Sequence, residues 1–350
     1  MVIIIGAGLS GLLTGYRLKK EGVPFKILEA RHRIGGRIHT VFGPDQTPLE
    51  MGATWFGGQH RNLIALLEEL GLDCFEQFME GTVFFQPLST SPAQSIQIAS
   101  QAPSYRISGG SSHLINTLYQ KLDKSDVLLN QSVTEIKFQM DGVQVLAKDL
   151  FEGDRVVLAI PPKLWAKKIM FEPHLPTNLM TTGAQTQTWM EDSIKIALTY
   201  DQPFWEQDNV SGTLFSNVGP ITELYDHCNH ERTKYALCGF INPSFKQLNY
   251  KDRRAKVIEQ LKIIFGVKAG AFINYEECIW SHEKHTFEAS ELLLYPHQNN
   301  GSPIFSNSFF DNRLLISSSE SASEFAGYMD GAVYSANVTA EKIINQHGHK

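Results

Sequence analysis

Three glycines near the start of the chain, Gly6, Gly8 and Gly11, have the spacing G-x-G-x-x-G. They follow the apolar run 2–5, and Glu29 comes 23 residues after Gly6. In such a turn Gly6 permits the sharp bend, Gly8 lets a pyrophosphate approach the backbone, and Gly11 lets a helix pack against the strand. The N–H groups at the helix start attract phosphate, and the Glu29 carboxylate can accept hydrogen bonds from ribose hydroxyls. The pattern predicts a dinucleotide site.

A second anion-binding pattern follows Glu29 directly. It contains arginines and a glycine pair: Arg31, Arg33, Gly35, Gly36 and Arg37. Arginine pairs bidentately with phosphate, and glycine admits close backbone approach. A simple nicotinamide dehydrogenase does not need this segment, and the chain has no second G-x-G-x-x-G for NAD(P)H. We therefore favour FAD, with electrons supplied directly by an organic substrate.

Lys195 is a candidate for chemistry because it lies within the apolar run 194–198. A lysine in a protein core is costly unless it is paired or its pKa falls. The run alone leaves two interpretations open. Lys195 lies either on the solvent face of an edge strand or at a buried functional site.

The elements that must position these groups follow from the apolar patterning. A βαβ opening and two later segments predict a parallel sheet with helices. The predicted strands of this unit are 2–5, 25–28, 156–160 and 314–318, and its helices are 9–20 and 331–346. We also expect helices at 63–72, 112–122 and 251–265, strands within 133–146, 193–200 and 236–241, and a loop or weakly ordered hairpin at 89–104.

The predicted fold class is α/β, with a Rossmann-like FAD-binding domain and a second, mixed-sheet (α+β) substrate domain. We assign residues 1–75, 105–162 and 300–350 to the discontinuous FAD-binding domain. Residues 76–104 and 163–299 form the predicted substrate domain.

Composition limits the other functions that this chain could have. The chain has 350 residues, a net charge of −6 and 42% hydrophobic residues, so no general affinity for nucleic acid or anionic membrane is expected. No apolar run approaches the length of a membrane span. Four cysteines without a C-x-x-C pair, and a start without the features of a signal peptide, predict reduced thiols and a cytoplasmic location. No metal site is predicted, because Asp226, His227, Cys228 and His230 lie in one loop without a second half-site.

Residues 29–37, with the sequence EARHRIGGR, resemble the signature of the flavin-containing amine oxidases. This family includes monoamine, polyamine and L-amino-acid oxidases, and the resemblance extends from residue 1 to about 345. The further segments that resemble family motifs are 50–55, Arg106 with Gly109 and Gly110, Val133, 154–162, 194–195, 203–205, Glu320 and 327–333.

The resemblance implies non-covalent FAD, oxidation of an amine and two catalytic residues. Lys195 corresponds to the lysine that reaches flavin N5 through a water, and Tyr328 to the aromatic residue beside the substrate amine. Trp280 resembles a tryptophan behind the flavin. The implied cofactor-binding residues are Gly6, Gly8, Ser10, Gly11, Glu29, Ala30, Arg31, Gly36, Arg37, Gly52, Ala53, Thr54, Trp55, Val133, Trp280, Glu320, Gly327, Tyr328 and Met329. In the implied reaction an amine Cα–H passes a hydride equivalent to flavin N5, the imine hydrolyses, and O₂ reoxidises the flavin to give H₂O₂.

Four departures from the family pattern carry expectations of their own. A second aromatic residue should lie a few residues before Pro296, and Tyr295, although offset, is the nearest candidate. The cysteine that some members use to bind FAD covalently is absent. The segment 72–106 is short, which predicts an open site, a bulky substrate or a partner as lid. Ser318 replaces a glycine of the family, and we expect it to loosen contact with the pyrophosphate.

Two alternatives to amine oxidation stay open at this point. The weak aromatic cage favours a desaturase or oxidase of a non-amine substrate on the same scaffold. The short segment favours a flavin-binding or partner-binding protein with little turnover.

Overall fold

The computed structural model of the chain describes residues 1–97, 102–290 and 292–347. These residues form seven α-helices and 21 β-strands. The helices are α1 (Leu9–Lys20), α2 (Arg61–Leu70), α3 (Ser112–Gln120), α4 (Pro162–Lys168), α5 (Thr177–Ala184), α6 (Tyr250–Phe265) and α7 (Met329–His347). The strands are β1 (Val2–Ile5), β2 (Phe25–Leu28), β3 (Thr40–Phe42), β4 (Pro48–Glu50), β5 (Phe56–Gly57), β6 (Cys74–Glu76), β7 (Thr82–Gln86), β8 (Gln94–Ile96), β9 (Ser104–Ile107), β10 (Val127–Leu128), β11 (Glu135–Gln139), β12 (Gly142–Leu146), β13 (Leu150–Gly153), β14 (Arg155–Leu158), β15 (Met170–Glu172), β16 (Ile194–Tyr200), β17 (Val210–Ser216), β18 (Ile221–Asp226), β19 (Tyr235–Ile241), β20 (Asn274–Ile279) and β21 (Leu314–Ile316).

A five-stranded parallel sheet lies at the centre of the nucleotide-binding half, in the order β10-β2-β1-β14-β21. Every residue of β1 is buried because the sheet is covered on both faces. Ile4 packs with the helix layer of α1, α3 and α7, whereas Ile3 packs with β12 and α4 on the other face. The continuous apolar run 2–5 follows from this double burial.

A seven-stranded mixed sheet forms most of the other half, in the order β20-β16-β19-β18-β17-β7-β8. Only the β17–β7 contact is parallel among its described pairs. Strand β16 pairs with both β19 and β20, and all seven of its residues are buried. The interpretation that placed Lys195 on the solvent face of an edge strand is therefore wrong.

The predicted fold class is confirmed, and most predicted elements appear with small shifts at their ends. The short helices α4 and α5 were not predicted. Pro162 begins α4 at a position where its missing N–H costs nothing. Within 89–104 the chain forms β8 and begins β9, and residues 98–101 lie outside the described part.

Both halves are assembled from distant parts of the chain. β21 and α7 return to the parallel-sheet half, and β7 and β8 join the mixed sheet. The precise domain boundaries stay a prediction. No helix within the described residues combines the length and the apolar character that crossing a membrane requires.

Candidate active site

A cavity of about 450 Å³ lies at the carboxyl edge of the parallel sheet, where open α/β sheets bind ligands. We distinguish two regions of its wall. The nucleotide region comprises the lining residues of the turn 6–11 and of the segment 29–37, together with Ser318 and Ser319. The lysine region comprises Trp55, His60, Trp189, Lys195, Phe240 and Tyr328.

The glycine turn has the geometry that the sequence predicted. Gly6 has φ +104°, and an added Cβ would lie 2.6 Å from Cγ2 of Ile160. Gly8 lines the cavity, and an added Cβ would meet no atom within 4 Å. Gly11 does not line the cavity, and its Cβ would collide with the carbonyl oxygen of Gly6. Gly8 therefore leaves room for a phosphate, while Gly11 serves helix packing.

Glu29 lines the cavity at the end of β2 and is 4% exposed. Its Oε2 accepts a hydrogen bond from Ala7 N at 2.8 Å, and its Oε1 accepts one from Arg31 N at 2.9 Å. Each carboxylate oxygen keeps a further lone pair, so hydroxyl donors can still be bound. Ser10, Ala30 and other predicted residues also line this region.

Arg31 lines the cavity, yet its guanidinium already has protein partners. It donates to Thr286 Oγ1 at 2.6 Å, to the His285 carbonyl at 3.2 Å and to Glu283 at 3.3 Å. Lys284, His285 and Thr286 line the cavity too. Arg31 thus ties the segment 283–286 to the nucleotide region, which the sequence did not suggest.

The other two arginines are also engaged. Arg37 lines the cavity and donates to Glu320 at 2.5 Å and to Ser319 Oγ at 2.8 Å. Arg33 donates to backbone carbonyls of its own loop and does not line the cavity. We expected these arginines to be free to bind phosphate, and this expectation is wrong because each guanidinium already has protein partners. The N–H groups at the start of α1 are therefore the better candidates for binding phosphate.

Glu320, predicted to contact the cofactor, does not line the cavity and is fully buried. Burial alone would raise the pKa of Glu320, but Arg37 outweighs this effect and the pKa lies below its ordinary value. Glu320 therefore holds Arg37 in place from behind.

Lys195 projects from β16 into the cavity with its side chain 2% exposed. Its Nζ donates to the Gly52 carbonyl at 2.6 Å and to Thr54 Oγ1. The same Nζ lies 4.8 Å from the ring centre of Trp55 and 5.5 Å from that of Phe240. Burial lowers the pKa of Lys195. A third N–H of the ammonium group is left for a water or a ligand.

The remaining predicted cofactor residues lie near this lysine or elsewhere on the cavity wall. Trp280 is buried and donates from Nε1 to the Met51 carbonyl at 2.8 Å. The others that line the cavity are Gly36, Gly52, Ala53, Thr54, Trp55, Val133, Gly327 and Met329. Their placement agrees with a cofactor site, although the role of each residue stays a prediction.

Tyr328 stands among aromatic rings that the sequence did not identify. Its ring centre lies 5.8 Å from that of Trp189, 5.6 Å from that of His60 and 5.7 Å from that of His297. Trp189 and His297 stack at 3.9 Å. Tyr295, the expected partner, is 69% exposed and does not line the cavity, whereas Trp189 does line it.

Gly327 explains how the Trp189 side chain comes so near. The backbone of Gly327 has φ +88°, and an added Cβ would lie 2.9 Å from Cβ of Trp189. No motif marks Trp189, because it lies in the connection between α5 and β16. An aromatic residue shortly before the lysine strand is the one signal that could have suggested it.

Acidic and basic residues are unevenly distributed along the cavity wall. Glu29 is the one acidic residue among the described residues that line the cavity, and it belongs to the nucleotide region. None of the four cysteines, all of which the structure describes, lines the cavity, so the wall offers no thiol for covalent attachment of flavin.

The loop that we considered for a metal has its carboxylates occupied. Ligand atoms of Glu206, Asp226 and Cys228 approach one another within 4.8 Å in the described part of the chain. Arg232 donates to both carboxylates, and Cys228 Sγ donates to Asp226. An arginine thus occupies the position that a cation would need.

The cavity fits FAD on three structural grounds. Gly8 opens backbone space beside the start of α1, where phosphate is favoured. Glu29 retains acceptor capacity toward ribose hydroxyls, and Lys195, which lines the cavity, keeps one N–H that no described residue accepts.

Comparison with known proteins places this geometry in a family. The family model described as flavin containing amine oxidoreductase matches residues 9–92 and 75–344. A relative named probable flavin-containing monoamine oxidase A, from Dictyostelium discoideum, is 24% identical over 98% of this chain and 97% of its own length. The putrescine oxidase of Kocuria rosea is 25% identical over 81% of this chain and 83% of its own.

A solved structure is similar throughout. Cyclohexylamine oxidase from Brevibacterium oxydans superimposes with a TM-score of 0.87 at 19% identity, covering 99% of both chains. The alignment with the Dictyostelium relative runs over 455 positions, although this chain has 350 residues. The two parts of the family match overlap at residues 75–92, which lie within the short segment 72–106. The chain belongs to the flavin containing amine oxidoreductase family and is an FAD-dependent, amine oxidase-like oxidoreductase.

Proposed function

We propose that this chain oxidises primary monoamines with an apolar, ring-containing or branched tail, using non-covalent FAD and O₂ as acceptor. The observation that carries this proposal is the lysine region. It places a buried lysine beside aromatic rings and has no carboxylate among its described lining residues.

The aromatic rings give this region its selectivity for the substrate. Tyr328, Trp189 and His60 offer ring faces and edges to the cavity, and none of them brings a carboxylate. Aromatic faces attract an amine electrostatically and bury apolar carbon favourably. An amine nitrogen can therefore lie over Tyr328 while its hydrocarbon tail packs on Trp189.

A diamine or polyamine fits this region poorly. Its second ammonium group would have to leave water without a carboxylate partner, which is strongly unfavourable. Glu191 lies near in sequence, but it does not line the cavity and pairs with Lys163 at 2.6 Å. The charge pattern thus supports a different preference from that named for the putrescine oxidase relative.

The protein positions the reacting groups and controls their protons. When bound, the flavin accepts a hydride equivalent from the amine Cα–H and passes the electrons on to the acceptor. Lys195, anchored by Gly52 and Thr54, keeps one remaining N–H that would hold a water beside bound flavin. Its burial lowers the pKa, which eases exchange of a proton with that water.

We also propose a cytoplasmic location. It is supported by the four cysteines, each of which is free although two are fully buried. Fractionation of the source cells, with the protein followed by antibody, would test this location directly.

The deciding experiment is anaerobic reduction of the bound flavin. We would mix the holoenzyme with benzylamine, cyclohexylamine, putrescine, spermidine and L-amino acids and follow the visible absorbance. We expect bleaching by benzylamine or cyclohexylamine and much slower bleaching by putrescine. Faster bleaching by putrescine would contradict the substrate class alone. If dithionite but no amine bleached the flavin, amine oxidation would be contradicted and the non-amine alternatives would gain.

A further inference from the structure

Residues 187–193, which we call the Trp189 loop, lie between α5 and β16 and bring Trp189 to the cavity wall. In this loop Met190 has φ +61°, in the left-handed region of backbone conformation. A residue with a side chain seldom adopts this conformation, because its Cβ crowds the backbone, and it persists only where the surroundings hold it. The contacts on the two sides of Met190 therefore decide where Trp189 stands.

On the N-terminal side of Met190, the loop contacts residues 297 and 298. The N–H of Gln187 donates to the carbonyl of Gln298 at 3.0 Å, and its Oε1 accepts from the N–H of His297 at 3.2 Å. The rings of Trp189 and His297 stack with their centres 3.9 Å apart. Residues 297 and 298 belong to no helix or strand, so these contacts alone do not tie the loop to a regular element.

On the C-terminal side of Met190, Glu191 supplies such a tie. Its Oε1 accepts a hydrogen bond from Nζ of Lys163 at 2.6 Å, and both side chains are buried. Within the described residues neither side chain has another hydrogen-bond partner. Lys163 lies in the first turn of α4, and the fully buried Trp165 packs this helix against the parallel sheet. The pair thus joins the Trp189 loop to the half of the molecule that holds the nucleotide region.

Stability alone explains this ion pair poorly. Two charges that leave water lose about as much free energy as their attraction returns, and an apolar pair of similar volume holds a folded state as well. A charge-assisted hydrogen bond differs from an apolar contact because it fixes both a distance and a direction. The pair of Lys163 and Glu191 is therefore better explained by the loop geometry that it fixes.

We propose that the ion pair between Lys163 and Glu191 positions Trp189 beside Tyr328 and thereby sets the preference for amines with a ring-containing tail. The two rings line the cavity with their centres 5.8 Å apart. A tail that packs on Trp189 keeps its amine near Tyr328 only while this spacing is held, since a gap of about 1 Å forfeits much of a packing contact. The effect on substrate preference rests on the proposed function, whereas the effect on the loop does not.

The first test follows hydrogen–deuterium exchange of residues 187–193 in the holoenzyme. The variants are Lys163→Met and Glu191→Gln, with Lys167→Met as the matched control. Lys167 lies in the same helix, is exposed and has no ion pair within the described residues. We expect about tenfold faster exchange of the loop in both test variants, because local opening becomes easier, and no change in the control. Unchanged exchange in the test variants would overturn the proposal.

The second test separates a positioning role from a merely structural one. We would measure kcat and KM for cyclohexylamine and for propylamine, which has no ring to pack on Trp189. Both test variants should raise KM for cyclohexylamine about fivefold and leave KM for propylamine and both kcat values unchanged. Equal changes for the two amines would overturn the positioning role. If no amine reduced the flavin, the proposed function would fail, and the exchange measurement would still decide whether the ion pair holds the loop.

A double variant covers the case in which Lys163→Met does not fold. Lys163→Met combined with Glu191→Leu leaves neither charge buried without its partner, so the melting temperature should return toward that of the wild type. We expect KM for cyclohexylamine to stay raised, because the directed bond is still absent. Recovery of the wild-type KM together with the melting temperature would overturn the proposal.

Discussion

The two regions of the cavity wall are built in opposite ways. In the nucleotide region, backbone geometry and paired charges dominate: Gly6 and Gly8 open the turn, and Arg37 is neutralised by Glu320. In the lysine region, large side chains dominate: Trp189 and Tyr328 face each other, and the single cation Lys195 has no ion-pair partner among the described residues.

This difference suggests that the nucleotide region recognises the cofactor and that the lysine region serves the reaction. A dinucleotide presents fixed charges and hydroxyls, so the nucleotide region meets it with fixed donors and acceptors. A lone buried cation whose pKa is lowered is instead suited to exchange protons. Changes in the first region should therefore alter stability and cofactor binding, and changes in the second should alter rates and substrate preference.

The largest expected effect comes from Lys195→Met. Removing the ammonium group should slow the flavin half-reactions about 1,000-fold, since positioned proton-transfer groups contribute 10²- to 10⁴-fold. Stopped-flow absorbance, first with amine and then with O₂, measures both steps. FAD content should stay unchanged, because Lys195 belongs to the lysine region. Wild-type rates in both steps would show that Lys195 has no role in the chemistry.

Arg37→Met should affect stability next most strongly. It leaves the fully buried Glu320 without its cation, and breaking such a pair costs about 3 kcal/mol of unfolding free energy. Urea unfolding measures this cost. Arg33→Met is the control, because the hydrogen bonds of Arg33 within the described residues go to backbone carbonyls and its loss should cost clearly less. The double variant with Glu320→Gln should recover part of the loss, and failure to do so would contradict the pairing.

His39 should make the protein sensitive to acid. Burial, with help from Arg33, lowers the pKa of His39 to about 4 in the folded state, below its ordinary 6.5. The unfolded chain therefore binds a proton first, and stability falls as the pH drops from 6.5 to 4.

We expect His39→Gln to remove about 2 kcal/mol of this loss, given 1.36 kcal/mol per pKa unit and a discount for partial exposure. Urea unfolding of both proteins at pH 7 and pH 4 provides the measurement. Parallel pH dependences would exclude His39 as the cause. The His39 carbonyl accepts hydrogen bonds from the N–H groups of Met51 and Gly52. We therefore expect protonation of His39 to loosen residues 51–52, whose Gly52 carbonyl anchors Lys195.

The smallest effect concerns the aromatic wall. Trp189→Ala should raise KM for a ring-containing amine about tenfold, which corresponds to the loss of one aromatic contact, while kcat and FAD release change little. Tyr295→Ala is the control, because Tyr295 is exposed and away from the cavity. A larger effect at Tyr295 than at Trp189 would restore the partner that the sequence suggested.

The sequence predicted the nucleotide region well because its physics is local. Gly6 to Gly11 and Glu29 each have a function that a short window of residues defines. Lys195 was identified, but its orientation depended on β19 and β20, which pair from distant parts of the chain.

The lysine region was predicted poorly for the same reason. Trp189, His60 and His297 come from three connections without a motif, and Tyr328 brings them together only in the folded chain. The arginines show a further limit, since the number of donors can be counted in a sequence but their partners cannot. Arg31 finds its partners more than 250 positions later, at Glu283 and Thr286.

The contact between Ser10 and Ser317 joins positions 307 residues apart. While the chain is being synthesised, β14 is an unpaired sheet edge and the apolar side of α1 lacks α7, because β21 and α7 have not yet been made. The cofactor site is complete only after these last elements leave the ribosome. Until β21 and α7 pack, the β14 edge and the apolar side of α1 stay uncovered, so the early part of the chain carries exposed apolar surface of the kind that promotes aggregation.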